Sequence, residues 1–415
     1  MAFKHIAING PHIALNSKCM QSILKGENGD YFPELLGKKG VLFSNTTLAK
    51  FINEEVLHDV YDLTNSSRSI RTFSSGEQKK ALLAFLLKDH VDFLIVDNPF
   101  DALDVESVKE LKERLIQLAT KMPIIQIFKR HDDLLPFITH GVQVENDVII
   151  YHDSIDNYLD AFSQSSSFVL KVSIPPPLEH FKLDNKELVE FNGVNVSYGD
   201  KLVLNQISWT INKGEFWQLQ GPNGSGKSTI LTMINGDNPK AFGEKVFVFG
   251  KRKGTGENVW QIKERIGYFT PSMMDLFKGR FTAEQMVVSG LVDSIGLYVK
   301  PTDIQLHLTH KWLELIGLLD RRKELFFNLS QVDRRMILMA RAMIKHPPLL
   351  ILDEPSNGLD DFSASMLSVL INKMAEESST SILYVSHRYE PDLKPTFIYQ
   401  LQASEKGSTG KVMAC

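Results

Sequence analysis

The 415-residue sequence is short of cysteine: Cys19 and Cys415 are its only two. Two cysteines can form neither a disulfide framework nor a zinc cluster, so a reducing cytosol is the expected setting. The chain also lacks any apolar run near the ~20 residues that a membrane helix needs. Its opening, MAFKHIAINGPH, lacks the long apolar core of a signal peptide. If the protein serves a membrane, it is expected to do so from outside the bilayer, peripherally at the inner face of the cell membrane. A surplus of one charge is missing as well. Against 50 acidic residues stand 46 basic ones, a net charge of −4, which gives no global electrostatic reason to expect nucleic acid as a partner. What is present, 43% hydrophobic and 23% charged residues, is the composition of a soluble globular protein. It excludes collagen-like, mucin-like and wholly disordered chains. The length exceeds one ordinary core and suits two domains.

The least globular-looking stretch lies near the middle, where Ser163–Ser167 (SQSSS) is followed by Pro175-Pro176-Pro177. Such a segment can neither continue a helix nor donate backbone hydrogen bonds, and it reads as a linker over 163–187. On either side, β and α patterns alternate. FLIVD ending at Asp97, LLILD ending at Asp353 and SILYVSH ending at His387 read as buried strands. Leu308, Trp312, Leu315 and Leu319 share one helical face. Alternation of this kind points to an α/β domain in each half.

The halves are copies. FSSGEQKKALLAFLLKDHVDFLIVDNPFDALD (73–104) lies under LSQVDRRMILMARAMIKHPPLLILDEPSNGLD (329–360) without a gap. The constant offset of 256 residues sets Ser330 on Ser74, Asp353 on Asp97 and Asp360 on Asp104. Carried onward, it sets His387 on His131. Any two βα units could share such spacing, but identities at the Ser, Asp, Pro, Leu-Asp and His positions indicate an internal duplication.

The second half carries the phosphate chemistry. Gly221, Pro222, Asn223, Gly224, Ser225, Gly226, Lys227, Ser228 and Thr229 follow a strand-like run and open a helix-like one. This is a P-loop in its strand–loop–helix setting. Its glycines let backbone N–H groups turn inward as an anion nest, and the helix N-terminus adds its dipole. Lys227 then reaches the β- and γ-phosphates, and Ser228 is a ligand for Mg²⁺. An Asp-Glu pair ending a strand is by itself no more than a solvent-exposed pair. Here Asp353 and Glu354 lie downstream of the P-loop, Asp353 standing 126 positions after Lys227. Asp353 suits the Mg²⁺ hydration shell, and Glu354 is placed to polarise a water for attack on the γ-phosphate. His387 ends a further strand and is a candidate contact for the γ-phosphate and that water. A lone histidine is more often structural, so its role rests on the order of motifs. Tyr198, 23 residues before Gly221, is a candidate to stack on adenine, against the alternative of plain packing.

The order Tyr198, GPNGSGKST, LSQVDR, LLILDEP, NGLD and VSH resembles the ATP-binding-cassette (ABC) ATPases, over both halves and most of the chain. Within that superfamily it is similar to the tandem cassettes of the molybdate-transport/photorepair (ModF/PhrA) type. The supporting stretches are NGVNVSYGDKLVLNQISW, IGYFTPSMMDLF and SGLVDSIGLY. The resemblance implies an α/β fold of two tandem P-loop NTPase cassettes, the first (1–162) truncated and degenerate and the second (188–415) complete. It implies ATP and Mg²⁺ as cofactors, hydrolysis of ATP to ADP and phosphate, and head-to-tail pairing of the cassettes. Each ATP would then lie between the P-loop of one cassette and the signature loop of the other.

Scored on that scheme, the first half donates Phe73-Ser74-Ser75-Gly76-Glu77, close to the usual LSGGQ signature, with Ser74 and Gly76 expected to contact ATP held at Lys227. The alternative is an exposed Ser-Gly loop opening a helix. Its own P-loop is absent: Gly37-Lys38-Lys39-Gly40 lacks the glycine spacing, and Asn16-Ser17-Lys18-Cys19 is at most a relic. Asn98 stands where the catalytic carboxylate belongs. About 55 residues separate Lys18 from the signature, against 103 between Lys227 and Ser330, so much of a helical subdomain is expected to be missing. The second signature, Leu329-Ser330-Gln331-Val332-Asp333, has lost both glycines. Damage therefore gathers in one composite site and spares the other. One departure touches the spared site: Pro271 holds the place of the family's glutamine that helps hold Mg²⁺ and links to a permease, with Ser272 the nearest substitute.

The resemblance implies an ATPase that energises or regulates transport, of an oxyanion such as molybdate, through a separate membrane permease. A second reading is an ATP-operated switch without a permease, acting on a protein, DNA or a ribosome. No heptad insertion of the DNA-repair kind is present, and the linker is short, unlike that of ribosome-acting tandem cassettes. A third reading is a pseudo-ATPase that binds without turnover; the presence of Glu354 and His387 weighs against it.

Overall fold

The computed structural model describes residues 3–9, 18–27, 32–58, 69–101, 103–145, 148–163, 168–256, 258–277, 279–294, 300–388 and 390–414. Asn16 and Ser17 of the expected P-loop relic, residues 164–167 of the expected linker, and Cys415 lie outside the described residues. The chain divides into two compact units, Met1–Ser167 with Gly358–Phe362, and Phe168–Asn357 with Ser363–Cys415.

The first unit runs β1 (Ile6–Asn9), α1 (Lys18–Leu24), β2 (Gly40–Phe43), α2 (Asn45–His58), α3 (Ser75–Leu86), β3 (Phe93–Asp97), α4 (Val105–Ala119), β4 (Ile124–Phe128), β5 (His140–Glu145), β6 (Val148–His152) and α5 (Ile155–Ser163). The strands form one sheet in the order β2-β3-β4-β1-β5-β6. It is parallel up to β5, and β6 closes the edge as an antiparallel hairpin partner. Phe93, Leu94, Ile95 and Val96 have no exposed surface, as expected of a parallel strand covered by helices on both faces. Two apolar clusters form the core. One joins β3 to α4 through Leu94, Val96, Leu111 and Leu115, and the other joins β1 to α1 through Ile6, Ile8, Met20 and Ile23. Helix α4 starts where Asp104 accepts a hydrogen bond from the Ser107 N–H (2.8 Å), and its Leu111, Leu115 and Leu118 give the buried stripe.

The second unit begins with an antiparallel layer, β7 (Glu187–Tyr198) and β8 (Lys201–Asn212), followed by β9 (Phe216–Gln220), α6 (Lys227–Asn235), β10 (Val246–Val248), β11 (Lys251–Arg252), α7 (Val259–Glu264) and β12 (Ile266–Phe269). It continues with α8 (Met273–Leu276), α9 (Ala283–Val288), α10 (Asp303–Leu315), α11 (Gln331–Met343), β13 (Leu349–Asp353), α12 (Asp361–Glu377), β14 (Ser381–Val385), β15 (Phe397–Gln402) and β16 (Thr409–Ala414). Its main sheet has the order β12-β13-β14-β9-β15-β16, again parallel with an antiparallel last pair. This is the first unit's order strand for strand. The separate sheet β11-β10-β7-β8 shares a core with α6 and the main sheet, in which Phe191, Val196 and Leu204 meet Ile230, Met233 and Ile351.

The duplication extends to details the sequence did not advertise. Ser74 and Ser330 cap α3 and α11 with nearly the same backbone angles (φ −63°, ψ 159° and φ −59°, ψ 161°). One turn on, the buried cation Lys79 donates to the carbonyl oxygen of Pro99, and its equivalent Arg335 donates to that of Pro355. Asn98 and Glu354, each just past a carboxylate-ended strand, both take the left-handed conformation (φ 41° and 49°).

Two sequence expectations need correction. Asp97 pairs with Ile127, whereas Asp353 pairs with Val385, so from β4 onward the offset is 258. The first-unit residue equivalent to His387 is therefore Lys129, not His131. A two-residue difference ahead of β4 breaks the constant spacing, and the apolar pattern of the strand hides it. His131 instead opens a short 3₁₀ turn (His131–Asp133). Second, Leu319 lies past the end of α10. The helix stops at Leu315 and the chain turns at Gly317, whose φ of +72° few other residues adopt. Leu308, Trp312 and Leu315 are buried on one face, as expected.

Among the described residues the first unit has no separate antiparallel sheet, and between β2 and α3 it has only α2 and a turn at Ile70–Thr72. In the second unit that interval holds α8, α9 and α10. The proline-bearing segment after residue 168 is extended and bound to the second unit. Ile174 and Pro175 are buried, the Ile174 N–H donates to Glu377 (2.8 Å), and His346 Nε2–H donates to the Pro175 carbonyl (2.7 Å).

The helices between β12 and α11 are tied by a polar triad. Glu284 on α9 meets Lys323 Nζ at 2.9 Å and His310 Nε2 of α10 at 2.6 Å. Burial pushes the Glu284 carboxyl up, but the hydrogen bonds and charges of Lys323 and His310 outweigh it and leave the group below the usual glutamate range. A carboxylate lowered in this way stabilises the fold above its unfolded pKa, and the gain fades as pH falls through the folded value. Glu284→Gln is therefore expected to lose about 1–3 kcal/mol near pH 7, with the gap to the parent narrowing as pH falls below the ordinary glutamate pKa. Urea unfolding followed by tryptophan fluorescence at several pH values checks this; a gap independent of pH would refute it.

Candidate functional site

The site forms at the carboxyl ends of three adjacent strands, β9, β14 and β13, which is where an open parallel sheet offers its crevice. Beyond β9 the chain makes the Gly221–Gly226 loop and enters α6 at Lys227. Gly226 caps the helix in the left-handed region (φ +95°), and a Cβ there would sit 2.5 Å from Leu204 Cδ2. Glycine is thus required twice, by conformation and by packing. Gly224 is also left-handed (φ +76°). Pro222, Asn223, Gly224 and Ser228 are exposed at the loop rim, Gly221 and Thr229 are half-buried, and Ser225 is fully buried with no hydrogen-bond partner for its hydroxyl. The buried Lys227 folds back over its own loop, Nζ donating to the carbonyls of Gly221 (2.7 Å) and Pro222 (3.1 Å). Those carbonyls hold the ammonium over the concavity that α6 points into, a place suited to a phosphate.

The carboxylates lie beside this loop because β13 is one strand removed from β9. Asp353 is the last residue of β13. Glu354 then turns left-handed, pinned by its N–H to the Val385 carbonyl at 2.8 Å, which aims its side chain back across the strand ends. Glu354 Oε1 meets His387 Nδ1 at 3.1 Å, and Oε2 accepts from Asn357 Nδ2 at 3.2 Å. The second ring nitrogen of His387 is buried without a partner, so this histidine is oriented by Glu354 and has one polar atom uncommitted. Tyr268 of β12 donates its hydroxyl to Asp353 Oδ2 at 3.4 Å.

Burial pushes Asp353 up to about 6, reinforced by the neighbouring Glu354 charge and opposed by Tyr268 and Lys227. Burial pushes Glu354 up too, but the hydrogen bond and charge of His387, with Lys227 and Asn357, bring it below the usual glutamate range. Glu354 is accordingly an ionised acceptor at neutral pH, able to orient a water. The oxygen donors Ser228 and Asp353 suit a hard cation such as Mg²⁺, which takes few protein ligands alongside phosphate and water. Among the described residues no cluster of three or more His, Cys, Asp or Glu forms a protein-only metal cage. The glycine cradle, Lys227 and the uncommitted His387 nitrogen fit a nucleoside triphosphate.

Tyr198 ends β7 with its ring 46% exposed. Its hydroxyl accepts from Asn238 Nδ2 (2.9 Å), and Lys240 Nζ lies 5.9 Å from the ring centroid, so the ring is a tethered, open face available for stacking. Asn238 escaped the sequence reading because it belongs to no motif, Tyr268 was quoted only within IGYFTPSMMDLF, and Asn357 only as part of NGLD.

Each unit has a serine that caps a helix at the position of its expected signature. In the first, Ser74 is exposed and caps α3: its N–H donates to Glu77 Oε2 (2.7 Å) while its Oγ accepts from the Glu77 N–H (3.3 Å). Gly76 is buried, and a Cβ there would lie 2.5 Å from Ser107 Oγ, so a larger residue would require the Ser107 side chain to move. In the second, Ser330 caps α11 in the same way (3.1 Å to the Asp333 N–H), and Asp333 pairs with Arg321 at 2.8 Å. In the first unit Asn98 Nδ2 donates to the adjacent Asp97 Oδ1 (2.7 Å), so the amide that replaces the second carboxylate is spent on the first. No helix of the described residues is long and apolar enough to cross a membrane.

Comparison with known proteins gives the family of this chain. Residues 204–357 match the family described as ABC transporter. The chain is 35% identical over 333 residues to the ABC transporter ATP-binding protein ModF of Escherichia coli (strain K12), covering 78% of this chain and 68% of that protein. It is 32% identical over 331 residues to an uncharacterized ABC transporter ATP-binding protein of Schizosaccharomyces pombe, covering 78% and 66%. The chain thus spans about two thirds of each relative's length. Among solved structures, the complex of archaeal ribosomal stalk protein aP1 and archaeal ribosome recycling factor aABCE1 gives a TM-score of 0.62 at 17% identity, over 99% of this chain and 86% of that one. At such identity the likeness is one of fold.

The exposed, tethered ring of Tyr198 yields a direct test. Tyr198→Ala is expected to weaken nucleotide binding about tenfold, the ~1.4 kcal/mol of a stacked ring. Asn238→Ala should weaken it less, by freeing the ring. Titration with a fluorescent ATP analogue reads both; unchanged affinity in Tyr198→Ala would remove the ring from the site.

Proposed function

The chain belongs to the ATP-binding-cassette ATPases, and on that premise we propose that it works through a single ATP site. The site consists of the second unit's P-loop, Asp353, Glu354 and His387, completed by Ser74 and Gly76 of the first unit's signature. The observation that carries this reading is the contrast at two equivalent left-handed positions. Glu354 is held by His387 and Asn357, whereas Asn98 is turned onto Asp97. An amide so placed carries no negative charge with which to orient a water, and it is committed to Asp97 Oδ1.

In this reading Lys227 exchanges the Gly221 and Pro222 carbonyls for phosphate oxygens, and the amides of the loop and of the α6 N-terminus hold the rest of the phosphate chain. Ser228 and Asp353 hold the magnesium side. An ion held there would supply positive charge against the phosphates. Glu354 orients the attacking water in line with the leaving diphosphate, and His387 presents its uncommitted nitrogen to the γ-phosphate. Tyr198 stacks on the base. Catalysis is then positioning and charge stabilisation. The working domains are 1–162 as signature donor, 163–187 as linker and 188–415 as the complete cassette. The site supplies ATP-driven work to transport through a separate permease at the cytoplasmic face of the membrane, consistent with relatives named as transporter ATP-binding proteins. A soluble switch acting on a protein, DNA or a ribosome is the second reading. It is favoured by Pro271, which offers no side-chain donor where a permease-coupled cassette has glutamine.

Steady-state ATP hydrolysis decides the core of the proposal. Ser74→Arg should abolish turnover and Ser330→Arg should leave it near the parent's rate. Glu354→Gln should cut turnover ~10²–10⁴-fold while nucleotide still binds. Equal loss from both serine variants, or an unaffected Glu354→Gln, would refute the single composite site.

A further inference from the structure

Tyr268 is the residue of β12 that reaches the strand-end carboxylates. Its strand pairs in parallel with β13, with Tyr268 beside Ile351 and thus two residues short of Asp353. Side chains two apart along a strand share a face, so the ring lies along the same side as the Asp353 carboxylate and its hydroxyl reaches Oδ2 at 3.4 Å. The ring is half-buried against the second unit's core, which includes Ile351, and it also lines a cavity of about 860 Å³ with Trp260, Met273 and Phe277. It is therefore a rigid side chain set between the core and an open space, with its polar tip on Asp353. The following residues do not duplicate that tip. Pro271 has no donor, and the Ser272 hydroxyl is paired with Thr270 Oγ1 (3.4 Å).

We propose that Tyr268 is a positioning residue for the magnesium-side carboxylate, its phenol O–H fixing Asp353 Oδ2 so that Oδ1 faces the metal's hydration shell. Asp353 stands next to Glu354, and two adjacent carboxylates repel. Left to itself the Asp353 side chain would rotate away from its neighbour, and a neutral donor on its far oxygen holds it in place without adding charge to a site that must accept a cation. An apo hydrogen bond of 3.4 Å is long, and bonds of this sort shorten when the site is filled. The role belongs to the hydroxyl alone, since the ring would pack equally well as phenylalanine.

This inference rests on the reading of Asp353 as the magnesium-side carboxylate, so the experiment tests both. A fluorescent ATP analogue is titrated in EDTA and across a Mg²⁺ series with the full-length parent, Tyr268→Phe and Asp353→Asn, and thermal midpoints are recorded for each. For Tyr268→Phe the expected result is parental affinity in EDTA, a thermal midpoint close to the parent's, and a half-saturating Mg²⁺ concentration about tenfold higher, the scale of one hydrogen bond to a charged group. In Asp353→Asn the Mg²⁺ response should be largely lost. Parental Mg²⁺ dependence in Tyr268→Phe, with loss in Asp353→Asn, would overturn the role of Tyr268 and leave the site reading standing. An equal drop for Tyr268→Phe with and without Mg²⁺ would make the hydroxyl a matter of packing and overturn the proposal. Unchanged Mg²⁺ dependence in Asp353→Asn would overturn the site reading and the inference together.

Discussion

The chemistry of this protein depends on the parallel pairing of β14 with both β9 and β13. That pairing puts three strand ends side by side, spaced by the ~4.8 Å of a sheet ladder. The P-loop leaves the first, the carboxylates end the second and His387 follows the third. Nothing in the loops would bring these groups together otherwise, because Lys227, Asp353 and His387 are far apart in the chain. The backbone bond from the Glu354 N–H to Val385 turns strand alignment into side-chain alignment. It fixes a left-handed residue whose carboxylate points at the histidine of the neighbouring strand end. A shift of register by one residue would reverse every side chain on β14 and separate the pair.

The first unit shows how little of the fold depends on that chemistry. It keeps the strand order, the serine caps, the buried cation on a proline carbonyl and the left-handed turn after the carboxylate. These satisfy buried polar groups and bury apolar faces, so their loss would cost stability. Its sequence lacks the glycine-rich loop and the second carboxylate, and among its described residues there is no antiparallel layer like the one that carries the tethered tyrosine. Ser74 serves there as a helix cap, and Gly76 packs closely against the Ser107 side chain. Stability alone would therefore keep much of that signature in place.

Legibility followed the same division. The strands FLIVD, LLILD and SILYV were readable because a strand buried on both faces must be apolar throughout, and the P-loop because few other sequences satisfy its conformational demands. The duplication was readable wherever spacing was constant. It misled at His131, since an apolar strand carries no mark of where a two-residue change in spacing falls. Lys79 and Arg335, Asn238 and Tyr268 were invisible because their partners are backbone carbonyls or side chains distant in sequence, and residue type alone does not say whether a lysine or tyrosine points inward.

The sequence by itself determined the α/β class and the repeat, and it named the residues proposed to act at the phosphate loop, because each is a matter of residue type and local spacing. Only the tertiary structure decided which of those groups are oriented and by what. The Glu354–His387 pair, the hydroxyl on Asp353, the tether on Tyr198 and the true equivalence of His387 with Lys129 are all relations between strands or loops far apart in the chain. Such relations are set by sheet register and packing, which residue order constrains but does not spell out.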